Sequence, residues 1–139
     1  MKPEQNIISE EKYMDFVQRT FLFLTEEFNY SVGNKKANGN IFYDINFEKE
    51  DSVISISLET LQDYLLVILF KLENGQLPRY DDKAKTIHLN RFTETVIKNN
   101  PDIDFLENNL HFKEISPSTE IEKLILKNAK ELRICLKYS

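Results

Sequence analysis

The side chains best suited to chemistry in this sequence are two histidines, one cysteine and several grouped carboxylates. His88 and His111 stand far apart, and neither has a cysteine or second histidine at the short spacing by which a single element holds a metal. Each reads as a satisfied or solvated ring. Cys135 falls on the apolar stripe of the last predicted helix, where burial raises a thiol's pKa and leaves it inert. Gly33, Gly39 and Gly75 match none of the strand-to-helix spacings of a phosphate-binding loop. Glu10-Glu11-Lys12 is the one good match to the Glu-x-Lys of strand-borne nuclease sites, and it opens a helix. Asp81-Asp82 and the group Glu48, Glu50 and Asp51 have the residue types of acid–base or magnesium chemistry. The second group reads as a solvated hairpin tip. The expectation is therefore no catalytic residue, no metal and no cofactor. The alternative is a small enzyme or ligand-binding protein with a pocket assembled from Tyr80, Asp81, His88 and His111.

The carboxylates suggest a different kind of site. Glu26 and Glu27 lie at the predicted carboxyl end of the first helix, where the helix dipole disfavours negative charge. With Asp44, Glu48, Glu50 and Asp51 they could build an acidic surface that steers a basic partner toward the protein. The whole chain leans the same way, with 23 acidic against 18 basic residues and a net charge of -5. That balance works against binding to nucleic acid or anionic lipid.

These residues are carried by a regular sequence of elements. Ser9 followed by Glu10 and Glu11 predicts a helix start. The stripe Met14, Val17, Phe21, Leu24 and Phe28, widened by Tyr13, Phe16 and Phe23, predicts one helix to about Phe28, wedged between a sheet and another helix. The sharper reading of so aromatic a helix is an exposed edge for a partner or a second copy. Ser31 to Asn40 lacks periodicity and reads as a loop. Ile41 to Glu48 and Val53 to Leu58 alternate apolar and polar residues, as strands with one buried face do, and Glu48 to Ser52 joins them as a hairpin. Tyr64 to Leu72 fits either a helix or a doubly covered strand, and the preceding hairpin favours the strand. Thr86 to Leu89 predicts a short strand, Asn90 to Asn99 a helix stopped by Asn100-Pro101, and Asp104 to Asn109 a helical turn. Ser116-Pro117 predicts the start of the last helix, with Lys127, Lys130 and Arg133 suiting its negative end. Ile121, Leu124, Ile125, Leu132, Cys135 and Leu136 form its inward stripe, and Asn128 within it is expected to reach a loop carbonyl.

At 139 residues, with three glycines and four prolines, the chain is sized for one α+β domain over 1–139 and has no low-complexity linker. The expected sheet is a three- to four-stranded antiparallel meander packed by the N-terminal and C-terminal helices. A single cysteine, no signal-like start and no apolar run of membrane-spanning length point to the cytoplasm. The order of features, with Phe21 to Tyr30 ending a helix, Ile41 to Leu72 as a meander, Leu77-Pro78-Arg79-Tyr80, and Ala129 to Arg133 in a closing helix, resembles small bacterial immunity proteins of polymorphic toxin systems. That resemblance implies a non-enzymatic binder whose partner is another protein, such as a basic toxin domain.

Overall fold

Ser9 starts the first helix, α1 (Glu10–Thr20), its hydroxyl accepting from the Lys12 N–H at 3.2 Å. The computed structural model describes residues 7–78, 82 and 85–139. The helix does not run on to Phe28. It ends at Thr20, turns through Phe21 and Leu22, and resumes as α2 (Phe23–Phe28). The N–H groups of Leu24 and Thr25 reach the carbonyls of Phe21 and Leu22, three residues back, at 3.0 Å. Residues two apart on a straight helix face nearly opposite ways. The break lets Phe21 and Phe23 enter one core, their ring centres 5.9 Å apart. The aromatic residues of this segment are thus largely packing, not an exposed edge. Asn29 closes α2 in the left-handed conformation, φ 67°, which asparagine tolerates better than most residues.

Five strands follow: β1 (Ser31–Asn38), β2 (Phe42–Lys49), β3 (Ser52–Glu59), β4 (Tyr64–Lys71) and β5 (Thr86–His88). They form one antiparallel sheet in sequence order. The sheet has more strands than the three or four expected, and the segment read as a loop is the reason. β1 pairs with β2 through its backbone, while nearly all its side chains stand in solvent. A strand without a buried face has no alternating pattern to betray it. The ambiguous apolar run is β4, and its neighbours Val67 and Ile68, which point to opposite faces, are both buried.

Helices α3 (Leu89–Asn99), α4 (Phe105–His111) and α5 (Glu120–Tyr138) complete the chain. α5 begins later than Ser116-Pro117 predicts. Thr119 is its cap, accepting from the Glu122 N–H at 3.1 Å, while Glu122 turns back to accept from Ser118. Asn128 donates to the Leu124 carbonyl of its own helix at 2.9 Å, so it ties no loop. Residues of α1, α3 and α5 pack with Tyr43, Ile45 and Phe47 of β2 and Ile54, Ile56 and Leu58 of β3 in one core. All of these strand residues lie on one face of the sheet by their register. Tyr13 locks the two layers together, its buried hydroxyl donating to the Ile56 carbonyl at 2.7 Å. Burial and the nearby Asp44 charge raise the pKa of this phenol, so it stays a donor. Tyr13→Phe removes that bond and should lower stability by about 1–2 kcal/mol. The check is urea unfolding, with a lower midpoint and an unchanged slope.

Candidate functional site

The alternation that buries Tyr43, Ile45 and Phe47 sends Asp44, Asn46 and Glu48 to the other face of β2. Their register partners on β3 are Ser57, Ser55 and Val53, and Lys36 of β1 stands opposite Asp44. The hydroxyls of Ser55 and Ser57 each donate to Asp44 Oδ1 at 2.7 Å. These bonds hold the carboxylate in place at only 8% exposure. Next along the strand, Asn46 Oδ1 is buried and accepts no hydrogen bond from the described residues. Beyond it the Glu48 carboxyl group lies against Gly33, where any Cβ would collide with it. Gly33 sits at the irregularity of β1 between Val32 and Lys35, so the missing side chain makes room for the acid. Asn34, Lys36, Asn46, Glu48, Leu72 and Leu77 border a shallow depression of about 270 Å³ on this face.

The acidic row continues at the β2–β3 hairpin, where Glu50 and Asp51 are exposed. They share a surface hollow with Asn29 and with Lys49, whose ammonium lies 4.8 Å above the Tyr30 ring. Four of the six carboxylates suggested by the sequence therefore belong to one hairpin: Asp44 and Glu48 on its outer face, Glu50 and Asp51 at its tip. Glu26 lies exposed on α2, away from that strand face. Glu27 is engaged by another part of the chain.

Its partner is Arg133, read from the sequence only as a charge suited to a helix end. The residue is 3% exposed and every N–H of its guanidinium is used. Two bonds of 2.9 Å go to Glu27, bonds of 3.0 and 3.1 Å to Glu107, and one of 2.9 Å to Asn108. Lys137 adds a 2.8 Å bond to Glu107, and His111 Nε2 lies 3.7 Å from Glu27. Glu27 is thus placed at the unfavourable end of α2 by a bidentate ion pair, which outweighs a dipole effect of about 0.3–1 kcal/mol. The bonds from Arg133 and Lys137 hold the Glu107 carboxyl down at about 2, and Arg133 likewise lowers that of Glu27. One signal was present: Arg133 falls four residues after Ala129 and beside Leu132, on the buried side of α5.

The pocket suggested by Tyr80, Asp81, His88 and His111 is not brought together by the described residues. Tyr80 and Asp81 lie outside them. His88 ends β5 in register with Ile68, whereas the His111 ring packs on Phe112 and Phe23 near Glu27. A concavity of about 600 Å³ opens between the starts of α1 and α5, and neither histidine lines it. Cys135 is buried beside Thr93 at 3.5 Å, and burial pushes its thiol up to about 11. Among the described residues no three His, Cys, Asp or Glu side chains converge as metal ligands, and no helix is long and apolar enough to cross a membrane.

No family model matches the chain, and comparison with curated proteins and with solved structures returns no match either. The resemblance to immunity proteins therefore rests on the order of features alone.

The Arg133 contacts generate a prediction for stability. Arg133→Met leaves Asn108 buried without its donor and two carboxylates without their cation, costing about 2–3 kcal/mol after allowance for the partial exposure of the acids. Glu27 and Glu107 have lowered pKa values in the fold, so their contribution is fully present above the ordinary 4.5 and fades as pH falls toward 2. Denaturation across that range should show the gap between wild type and variant closing as acid is added. A gap independent of pH would rule out the ion pairs as its cause.

Proposed function

We propose that this protein is a non-enzymatic binding module, acting in the cytoplasm as a toxin-neutralising, immunity-like inhibitor, and that a basic partner docks on the outer face of its β2–β3 hairpin. The observation that carries the reading is the row Asp44, Asn46 and Glu48 on a sheet face without a helix over it, continued by Glu50 and Asp51. Glu48 has no cationic partner among the described residues. Such a carboxylate suits lysine or arginine side chains on the incoming surface.

The net charge of -5 adds long-range attraction for such a partner and speeds its approach. Lys36 and Lys49 interrupt the acidic row. A patterned surface of this kind discriminates among basic partners, because a misplaced positive charge would meet a lysine. Ser55 and Ser57 keep Asp44 in a fixed position before binding, which lowers the ordering cost of the complex.

The partner can be sought by pull-down of the tagged protein from its native host at low and moderate salt, followed by mass spectrometry. Against that partner, Glu48→Lys, Glu50→Lys and Asp51→Lys combined in one chain should lower the association rate about tenfold or more at low salt and flatten its salt dependence. A triple variant that associates at the wild-type rate would remove the hairpin from the binding surface.

A further inference from the structure

Asp44 is a buried carboxylate without a cation. It is more than nine-tenths buried, and its hydrogen bonds come from Ser55 and Ser57, both of which donate to Oδ1. Oδ2 accepts from neither serine and is not among the sealed atoms that lack a partner, so it is the oxygen that meets solvent. Glu27 and Glu107, whose side chains are 33% and 41% exposed, are paired with Arg133, whereas the more deeply buried Asp44 is in no ion pair of the described residues. A carboxylate withdrawn from water calls for a cation. Lys36 stands opposite Asp44 in register, but it is exposed, makes no ion pair with it, and borders the depression beside Asn46 and Glu48.

The open oxygen has aromatic neighbours. Phe42 precedes Asp44 by two residues on the same face of β2, about 7 Å along the strand. The register carries the Phe42 position across Glu59 to Tyr64 of β4, about 10 Å away. Both rings are open to solvent, Phe42 37% and Tyr64 57% exposed. Glu59, between them, gives its carboxylate to the N–H groups of Leu61 and Gln62 at 3.1 and 2.9 Å.

We infer that this end of the sheet is the seat of one arginine side chain of the basic partner, its guanidinium bonded to Asp44 Oδ2 and resting against Phe42, with its stem toward Tyr64. The inference rests on the binding role proposed above and names the residue that the partner contributes. A guanidinium suits the seat better than an ammonium: it is planar and weakly hydrated and stacks on rings, while an ammonium gives up more hydration to reach a buried oxygen.

The test needs no partner. N-acetyl-arginine amide, titrated to about 50 mM at constant ionic strength, should shift the NMR signals of the amides at 42–44, 55–57 and 64–66 along one saturating curve, half-complete at about 10 mM or below. The lysine analogue should bind about threefold or more weakly, and the neutral citrulline analogue should produce no such curve. Asp44→Asn, which keeps an acceptor for both serines, should abolish the response. Phe42→Leu keeps the apolar bulk but not the ring, should weaken binding about threefold or more, and decides alone if Asp44→Asn fails to fold. Each of these results supports the seat. No localised shift, an equal response to citrulline or lysine, or a response that survives Asp44→Asn or Phe42→Leu undiminished overturns it. The hairpin reading is judged separately, by the association rate of the Glu48, Glu50 and Asp51 variant with the captured partner, so either can fail without the other.

Discussion

One guanidinium organises the helical half of this protein. Arg133 projects from α5 into a space between α2 and α4 and gives all its donors to Glu27, Glu107 and Asn108. A buried cation is tolerable only when it is paired and its hydrogen bonds are complete. That requirement dictates what surrounds it. The end of α2 must supply an acid despite the dipole there, and α4 must turn its polar side inward. The apolar side of α4 is then left to solvent. What looks like a misplaced carboxylate on one helix and an inverted helix elsewhere follow from the same buried charge.

The sheet works by a separate rule, the strict alternation of its strands. Each inward residue of β2 fixes the outward position of the next, so Tyr43, Ile45 and Phe47 in the core require Asp44, Asn46 and Glu48 on the outer face. The helices all take the inner face, which leaves the acidic row uncovered by any helix. Small residues then shape that face: serine hydroxyls orient Asp44, and the absence of a side chain at Gly33 admits Glu48. The sheet thus separates its apolar and acidic residues by face. The core is sealed by Tyr13 and its neighbours, and the acidic row sits behind it on the same strands.

Much of this could be read directly from the residues. The amphipathic stripe of α1, the alternation of β2 and β3 and the stripe of α5 each record a buried face, and a buried face is the one feature that hydrophobic spacing encodes. The outward carboxylates of β2 were equally visible, since alternation places them as firmly as it places the core. Elements without a buried face were invisible. β1 is held by main-chain bonds that any sequence can make, so its residues resemble a loop. The break at Phe21–Leu22 was hidden because the periodicity continues across it, although two aromatics so close in sequence cannot both face inward on one straight helix.

By itself the sequence determined the α+β composition, the antiparallel hairpins, the core residues of most elements and the acidic character of one strand face, because each depends on local spacing and charge. Tertiary structure alone decided that Glu27 is tied up in ion pairs with Arg133 while Glu48 has no cationic partner among the described residues. It alone decided that α4 turns its leucines outward. Ion pairing joins residues more than a hundred positions apart, as Arg133 joins Glu27, and the energy of a buried charge depends on partners that no local pattern names.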